Sequence, residues 1–166
     1  RHARQNPDAP MLVGMVRHMS YAESAARIGA FAAYLRGECG VREGTTVIVS
    51  ALNCMEMPLV IVAATAAGAR MVLFSPEMTL TLFRQHMAAA SPAAVILTSQ
   101  EQCLAAREVA PDAHIFSIGC DVEPFDRVER IMDGRAAGFA GAEWESAPDA
   151  QIAVLSSGTT GKPKTI

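Results

Sequence analysis

The residues best equipped for chemistry stand together near the end of the chain: Ser156-Ser157-Gly158-Thr159-Thr160-Gly161-Lys162-Pro163-Lys164. Hydroxyls donate hydrogen bonds, glycines let backbone N–H groups come close to a bound group, and lysines offset negative charge. A polyphosphate needs that combination. Apolar Ile152 to Leu155 lead in, which predicts a buried strand running into the loop. A Walker A loop reads G-x-x-x-x-G-K-[ST]. Here Pro163 follows Gly161-Lys162, so no hydroxyl is placed to bind magnesium, and Ser156 stands where that pattern requires its first glycine. Pro163 also lacks an N–H and opposes a helix continuing from that point. The spacing therefore predicts strand–loop–strand rather than strand–loop–helix. The plainer alternative is a surface turn rich in Ser, Thr and Gly. The run through Gly161-Lys162-Pro163-Lys164 is more restrictive than such a turn requires.

The elements that must position this loop are legible upstream. Residues 11–19 are apolar around Gly14 and Arg17 and suggest a short hairpin. Ser20 to Arg36 is the clearest helix: Ser20 and Glu23 form a capping box, and Tyr21, Ala25, Ile28, Ala32 and Leu35 recur at helical spacing. Gly37 and Gly40 end it. Strands are predicted at Val47 to Val49, Met71 to Phe74, Val95 to Thr98 and His114 to Ile118. Helices alternate with them: one opened by Asn53 and Glu56, one over Leu80 to Ala90 and one over Glu101 to Val109. A further short helix is expected near Phe125 to Met132, then a loop carrying Trp144. Alternating strands and helices, with strands that read as continuous apolar runs, predict an α/β fold. The expected architecture is a mostly parallel sheet with helices on both faces.

Composition narrows the function classes. With 166 residues, one domain is the default. Hydrophobic residues make up 51% and aromatics 5%, which favours close helix–sheet packing over an aromatic-rich β-sandwich. Net charge is −3 with no strongly basic stretch, so nucleic acid is not an expected partner. The uncharged run 57–69 is too short to span a bilayer, which needs about 20 apolar residues. Cys39, Cys54, Cys103 and Cys120 are scattered, show no metal spacing and suit a reducing cytoplasm. His18, His86 and His114 have no partners at triad or metal spacing. Met55, Met57, Met71, Met78, Met87 and Met132 read as core filler. Asp121, Glu123 and Asp126 read as a solvated loop face, with a paired-carboxylate role left open.

Ser156 to Lys164 resembles the phosphate-binding signature of AMP-forming adenylating enzymes: acyl- and aryl-CoA ligases, adenylation domains of peptide synthetases, and luciferases. The family pattern is [ST]-[ST]-G-[ST]-T-G-x-P-K-G. The chain matches it through Lys164 and departs at Thr165, where glycine is usual. Ser20-Tyr21-Ala22-Glu23, Val41-Arg42-Glu43-Gly44, Asn53-Cys54-Met55-Glu56 and Ala66-Ala67-Gly68-Ala69 resemble successive N-terminal segments of the same family. The resemblance implies that residues 1–166 are the N-terminal portion of an adenylate-forming domain, cut just after the phosphate loop. It implies a ligase that activates a carboxylic acid with ATP and Mg2+ and passes the acyl group to a thiol, usually of coenzyme A. Ser156, Ser157, Gly158, Thr159, Thr160, Gly161 and Lys164 would face the nucleotide phosphates, with Lys162 at a variable, solvent-facing position. The Ser156-Ser157 pair looks closest to fatty-acyl and 4-coumarate-type CoA ligases. No catalytic residue is expected within 1–166, and these residues alone are expected not to turn over substrate. The alternatives are a peptide-synthetase adenylation domain and a non-catalytic nucleotide-binding module.

Overall fold

The computed structural model describes residues 2–139, 151–156 and 164–165. A four-residue helix, α1 (His2–Gln5), precedes an antiparallel hairpin of β1 (Pro10–Val13) and β2 (His18–Ser20). The hairpin therefore forms where the apolar run around Gly14 predicts one. Ser20 then caps α2 (Tyr21–Gly37) from an extended backbone, its side chain accepting from Glu23 N at 3.2 Å. Glu23 pairs with Arg27 one turn on, at 3.2 Å, so it supports the helix through an i,i+4 pair.

The central unit follows as β3 (Thr46–Ser50), α3 (Met57–Ala66), β4 (Arg70–Leu73), α4 (Leu80–Ala90), β5 (Ala94–Leu97), α5 (Gln100–Val109) and β6 (His114–Ser117). Thr79 and Ser99 cap α4 and α5 with their hydroxyls. Pro58 sits in the first turn of α3, where its missing N–H has no helical partner to lose. Gly68 turns the chain from α3 into β4 at φ +90°, and a Cβ there would lie 3.1 Å from Glu43 N. The remaining described elements are β7 (Asp126–Arg127), α6 (Val128–Arg135), a 3₁₀ turn at Ala136–Phe139, β8 (Gln151–Ser156) and β9 (Lys164–Thr165).

Among the described residues, seven strands form one sheet in the order β7-β6-β5-β3-β4-β8-β9. Every neighbouring pair from β7 to β8 is parallel, and β9 runs antiparallel to β8. Successive strand residues point to opposite faces, which divides the core in two. Val47, Val49, Met71, Ile96 and Phe116 join α2, α3 and α6 on one face. Ile48, Val72, Val95, Leu97 and Ile115 join α4 and α5 on the other. The predicted α/β sheet with helices on both faces is the observed fold. Phe31 and Tyr34 of α2 meet Phe116 edge-on, with ring centroids 6.0 and 5.8 Å apart.

Two local expectations need correction. The segment expected to be helical from Phe125 opens instead with β7, whose Asp126 and Arg127 pair with Phe116 and Ser117 at the sheet edge; α6 begins at Val128. The helix assigned to Asn53 and Glu56 begins at Met57, with Glu56 in the N-cap position but making no side-chain cap. Its carboxylate binds Arg17 of the hairpin turn instead.

Candidate active site

All six parallel strands point their C-terminal ends to one edge of the sheet. Across that edge the order of departing connections is β6, β5, β3, β4, β8. The β3 connection turns toward β4, whereas the β5 connection turns toward β6 on the opposite flank. Ligands of open α/β sheets bind outside the carboxyl ends of the strands, in the crevice where such directions diverge. A cavity of about 150 Å3 lies there, lined by Leu52, Pro76, Glu77, Thr98 and Ser99.

The hydroxyl- and glycine-rich segment leaves from the same edge. β8 extends the parallel sheet beside β4, with Met71 opposite Ile152 and Leu73 opposite Val154. Ala153 is buried against the α4–α5 face, while Ile152 and Val154 turn their half-exposed side chains to the other. The chain returns as β9, pairing Ser156 with Lys164 and Leu155 with Thr165. The element after the loop is thus a strand, as Pro163 predicts, and the first and last residues of the signature are brought opposite each other. Ser157, Gly158, Thr159, Thr160 and Gly161 lie outside the described residues.

The connections along this edge are laced together by polar contacts. Ser50, fully buried at the end of β3, lies 3.0 Å from Gln102 Oε1 and 3.3 Å from the Ser75 carbonyl. Gln102 Nε2 donates to the Pro76 carbonyl at 3.3 Å. Thr98 Oγ1 accepts from Leu52 N at 3.0 Å, and the Cys120 thiol donates to the Thr98 carbonyl at 3.0 Å. Beyond β3 and β6 a wider opening of about 460 Å3 carries charge of both signs. Its walls include the Arg17–Glu56 pair and Arg127, which holds Glu129 at 3.1 Å. Glu129 also accepts from Gly119 N at 2.8 Å. Asp121, read as a solvated face, is engaged by Arg127 and Arg130 at 3.3 and 3.0 Å.

Several of the residues given plain structural readings are buried or packed, while Met55, Met57 and Met78 are only partly buried against the core. Cys39 and Cys103 are buried, and burial pushes both thiols up to about 12, so neither is a ready nucleophile. Burial also raises Cys54 and Cys120. His114 stacks on Phe116 and His86 packs against Phe74. Met71, Met87 and Met132 are fully buried. Sequence reasoning missed the partners Ser50–Gln102 and Arg17–Glu56. They are far apart along the chain, and no local pattern links them. Among the described residues, no group of three or more His, Cys, Asp or Glu is placed to hold a metal, and no helix is long and apolar enough to cross a membrane.

Known proteins share both the fold and the sequence. The chain is 31% identical over 181 residues to the 2-hydroxy-7-methoxy-5-methyl-1-naphthoate–CoA ligase of Streptomyces carzinostaticus, covering 99% of this chain and 32% of that protein. It is 29% identical over 169 residues to the medium/long-chain-fatty-acid–[acyl-carrier-protein] ligase FadD10 of Mycobacterium tuberculosis, covering 99% of this chain and 30% of that one. The chain thus spans about a third of the length of these relatives. In fold it resembles the anthranilate CoA ligase AuaEII in complex with anthranoyl-AMP (TM-score 0.81, 21% identity, 99% of this chain and 33% of that one). It also resembles VinN (TM-score 0.79, 24% identity, 99% of this chain and 40% of that one). The AMP-binding enzyme family matches residues 1–166, the whole of the chain, which therefore belongs to the family of AMP-binding enzymes.

Proposed function

We propose that the full-length protein is an ATP-dependent, AMP-forming acid–thiol ligase, and that residues 1–166 form the N-terminal portion of its adenylate-forming domain. The observation that carries this reading is the place of the signature: in a chain matched throughout by the AMP-binding enzyme family, it leaves the C-terminal edge of a parallel sheet, with Ser156 and Lys164 paired at its base. In the first step a carboxylate oxygen bonds to the α-phosphorus of ATP while the bond to pyrophosphate breaks, giving an acyl-adenylate. In the second a thiol sulfur takes the acyl group, losing its proton, and AMP leaves.

Charge builds on the departing pyrophosphate, so this wall of the site needs positioned donors more than a protein nucleophile. Hydroxyls of Ser157, Thr159 and Thr160 would supply them, Gly158 and Gly161 would admit the phosphates to the backbone, and Lys164 would add a point charge. Magnesium would ride on the phosphate oxygens, a cation that commonly binds with few protein ligands. Four unpaired thiols suit a reducing cytoplasmic setting.

Coenzyme A is the proposed acceptor. A carrier-protein thiol is the second reading, favoured by a relative named as an acyl-carrier-protein ligase. The test is carboxylate-dependent exchange of labelled pyrophosphate into ATP by the full-length protein, over a panel of fatty and aromatic acids. Exchange with one class, followed by acyl transfer to coenzyme A but not to carrier protein, is expected. No exchange with any acid would refute the ligase reading, and transfer only to carrier protein would overturn the acceptor.

A further inference from the structure

The connection between β4 and α4, residues 75–79, runs beside the strand that carries the phosphate signature. Leu73 and Val154 are the last residues paired between β4 and β8, so the 75–79 connection and the end of β8 depart from the same edge of the sheet, one strand apart. The turn is closed internally by Met78 N on the Ser75 carbonyl at 3.1 Å and Glu77 N on Ser75 Oγ at 3.3 Å. Those bonds give it a shape but do not tie it to the neighbouring strands. The tie comes from the opposite side: Gln102 Nε2 donates to the Pro76 carbonyl, and Ser50 donates its single hydroxyl proton to Gln102 Oε1, the nearer of its two acceptors.

Gln102 is almost wholly buried in the first turn of α5, the helix whose Cys103, Ala105 and Ala106 belong to the apolar core on that face. A buried amide is costly unless its groups are bonded. Here both ends are used, and their orientation is fixed. The Pro76 carbonyl can only accept, so it takes Nε2, and Oε1 accepts from Ser50. An apolar side chain of similar length would fill the same space without that requirement. The amide adds geometry: it ties the Pro76 carbonyl to the start of α5.

We infer that Gln102, with Ser50, is a positioning residue for the nucleotide site, acting through the 75–79 connection on the β8–β9 strand ends. The inference rests on the ligase reading above for the identity of the ligand. Its structural half, that the pair holds 75–79 against the motif-bearing strands, can be measured without turnover.

The experiment uses the full-length protein with Gln102→Met and, separately, Ser50→Ala. Two readouts are taken: amide hydrogen exchange, and KM for ATP against KM for the acid in pyrophosphate exchange. Loss of one neutral hydrogen bond corresponds to roughly a fivefold change, and loss of two to roughly thirtyfold. Exchange at residues 75–79 and at the β8–β9 amides should quicken by about five- to thirtyfold, with α5 still protected. KM for ATP should rise by up to the same factor, with KM for the acid little changed. A purely structural role would lower melting temperature and active fraction and leave the ATP KM where it was; that result overturns the inference. Faster exchange at 75–79 with unchanged β8–β9 amides overturns it as well. A wild-type protein that catalyses no pyrophosphate exchange would defeat the ligase reading, while the hydrogen-exchange comparison would still decide the structural half. If one variant does not fold, the other carries the same two readouts.

Discussion

Replacing Gly68 by alanine should destabilise the fold several times more than the same change at Gly44, for a reason the geometry separates. Both glycines hold positive φ, +90° and +78°. An L-residue in that region costs about 1–2 kcal/mol. Alanine returns roughly 0.4–1 kcal/mol by restricting the unfolded chain. Gly44 has open space around a new Cβ, so Gly44→Ala should cost only the difference, about 1 kcal/mol. At Gly68 the added carbon would lie 3.1 Å from Glu43 N and 3.5 Å from Arg42 C. These are backbone atoms, so no flexible side chain can swing aside. Overpacking of that kind adds about 1–3 kcal/mol, for a total near 2–4 kcal/mol. In a domain of this size each kcal/mol moves the melting temperature by about 2–4 °C. Urea titrations and thermal melts of the two variants, followed by far-ultraviolet circular dichroism, measure the gap directly. Equal losses at the two sites would refute the argument, because the conformational term alone would then suffice.

Lys164→Ala should lower kcat/KM for ATP by roughly 10- to 150-fold, the worth of one charge-assisted bond of about 1.5–3 kcal/mol. Lys162→Ala should stay within about twofold, and equal effects would remove Lys164 from its assigned role. The buried thiols predict an alkaline transition. Cys39 and Cys103 release their protons near 9.0 in the unfolded chain and near 12 in the folded one. The unfolded state binds fewer protons across that window, so their contribution is fully present below pH 9 and is lost progressively from 9 to 12. The Cys39→Ala/Cys103→Ala double variant should show a shallower fall in stability between pH 9 and 12; an unchanged slope would place the transition elsewhere.

How much was legible in the sequence depended on how local the determinant was. Leu80 to Ala90 is bounded by a hydroxyl cap and a stop before Pro92, both local, and α4 has those ends. Strand starts are less legible. Arg70 is charged and exposed, yet its N–H donates to the Thr45 carbonyl at 2.8 Å, so β4 begins one residue before the apolar run. β7 was missed because Asp126-Arg127 carries no apolar signal; the free edge of β6 recruits it. The signature stands out in the sequence because its residues are contiguous. The Gln102–Ser50 bond and the Arg17–Glu56 pair join residues far apart in sequence, so only the fold brings them together.

The strand order has a consequence for how the protein is made. β3 to β6 pair mainly through crossovers of one helix, which close early and at modest entropic cost. β8 instead docks on β4, bringing Gln151 to Arg70 across everything between them. Contacts of such long sequence separation form late, because loop closure precedes any gain from them. By that argument β8, the strand that leads into the signature, is expected to be the last parallel strand to join the sheet, after the α4–α5 face exists. Any ligand that needs the β8–β9 edge would therefore meet it only once the α/β core is in place.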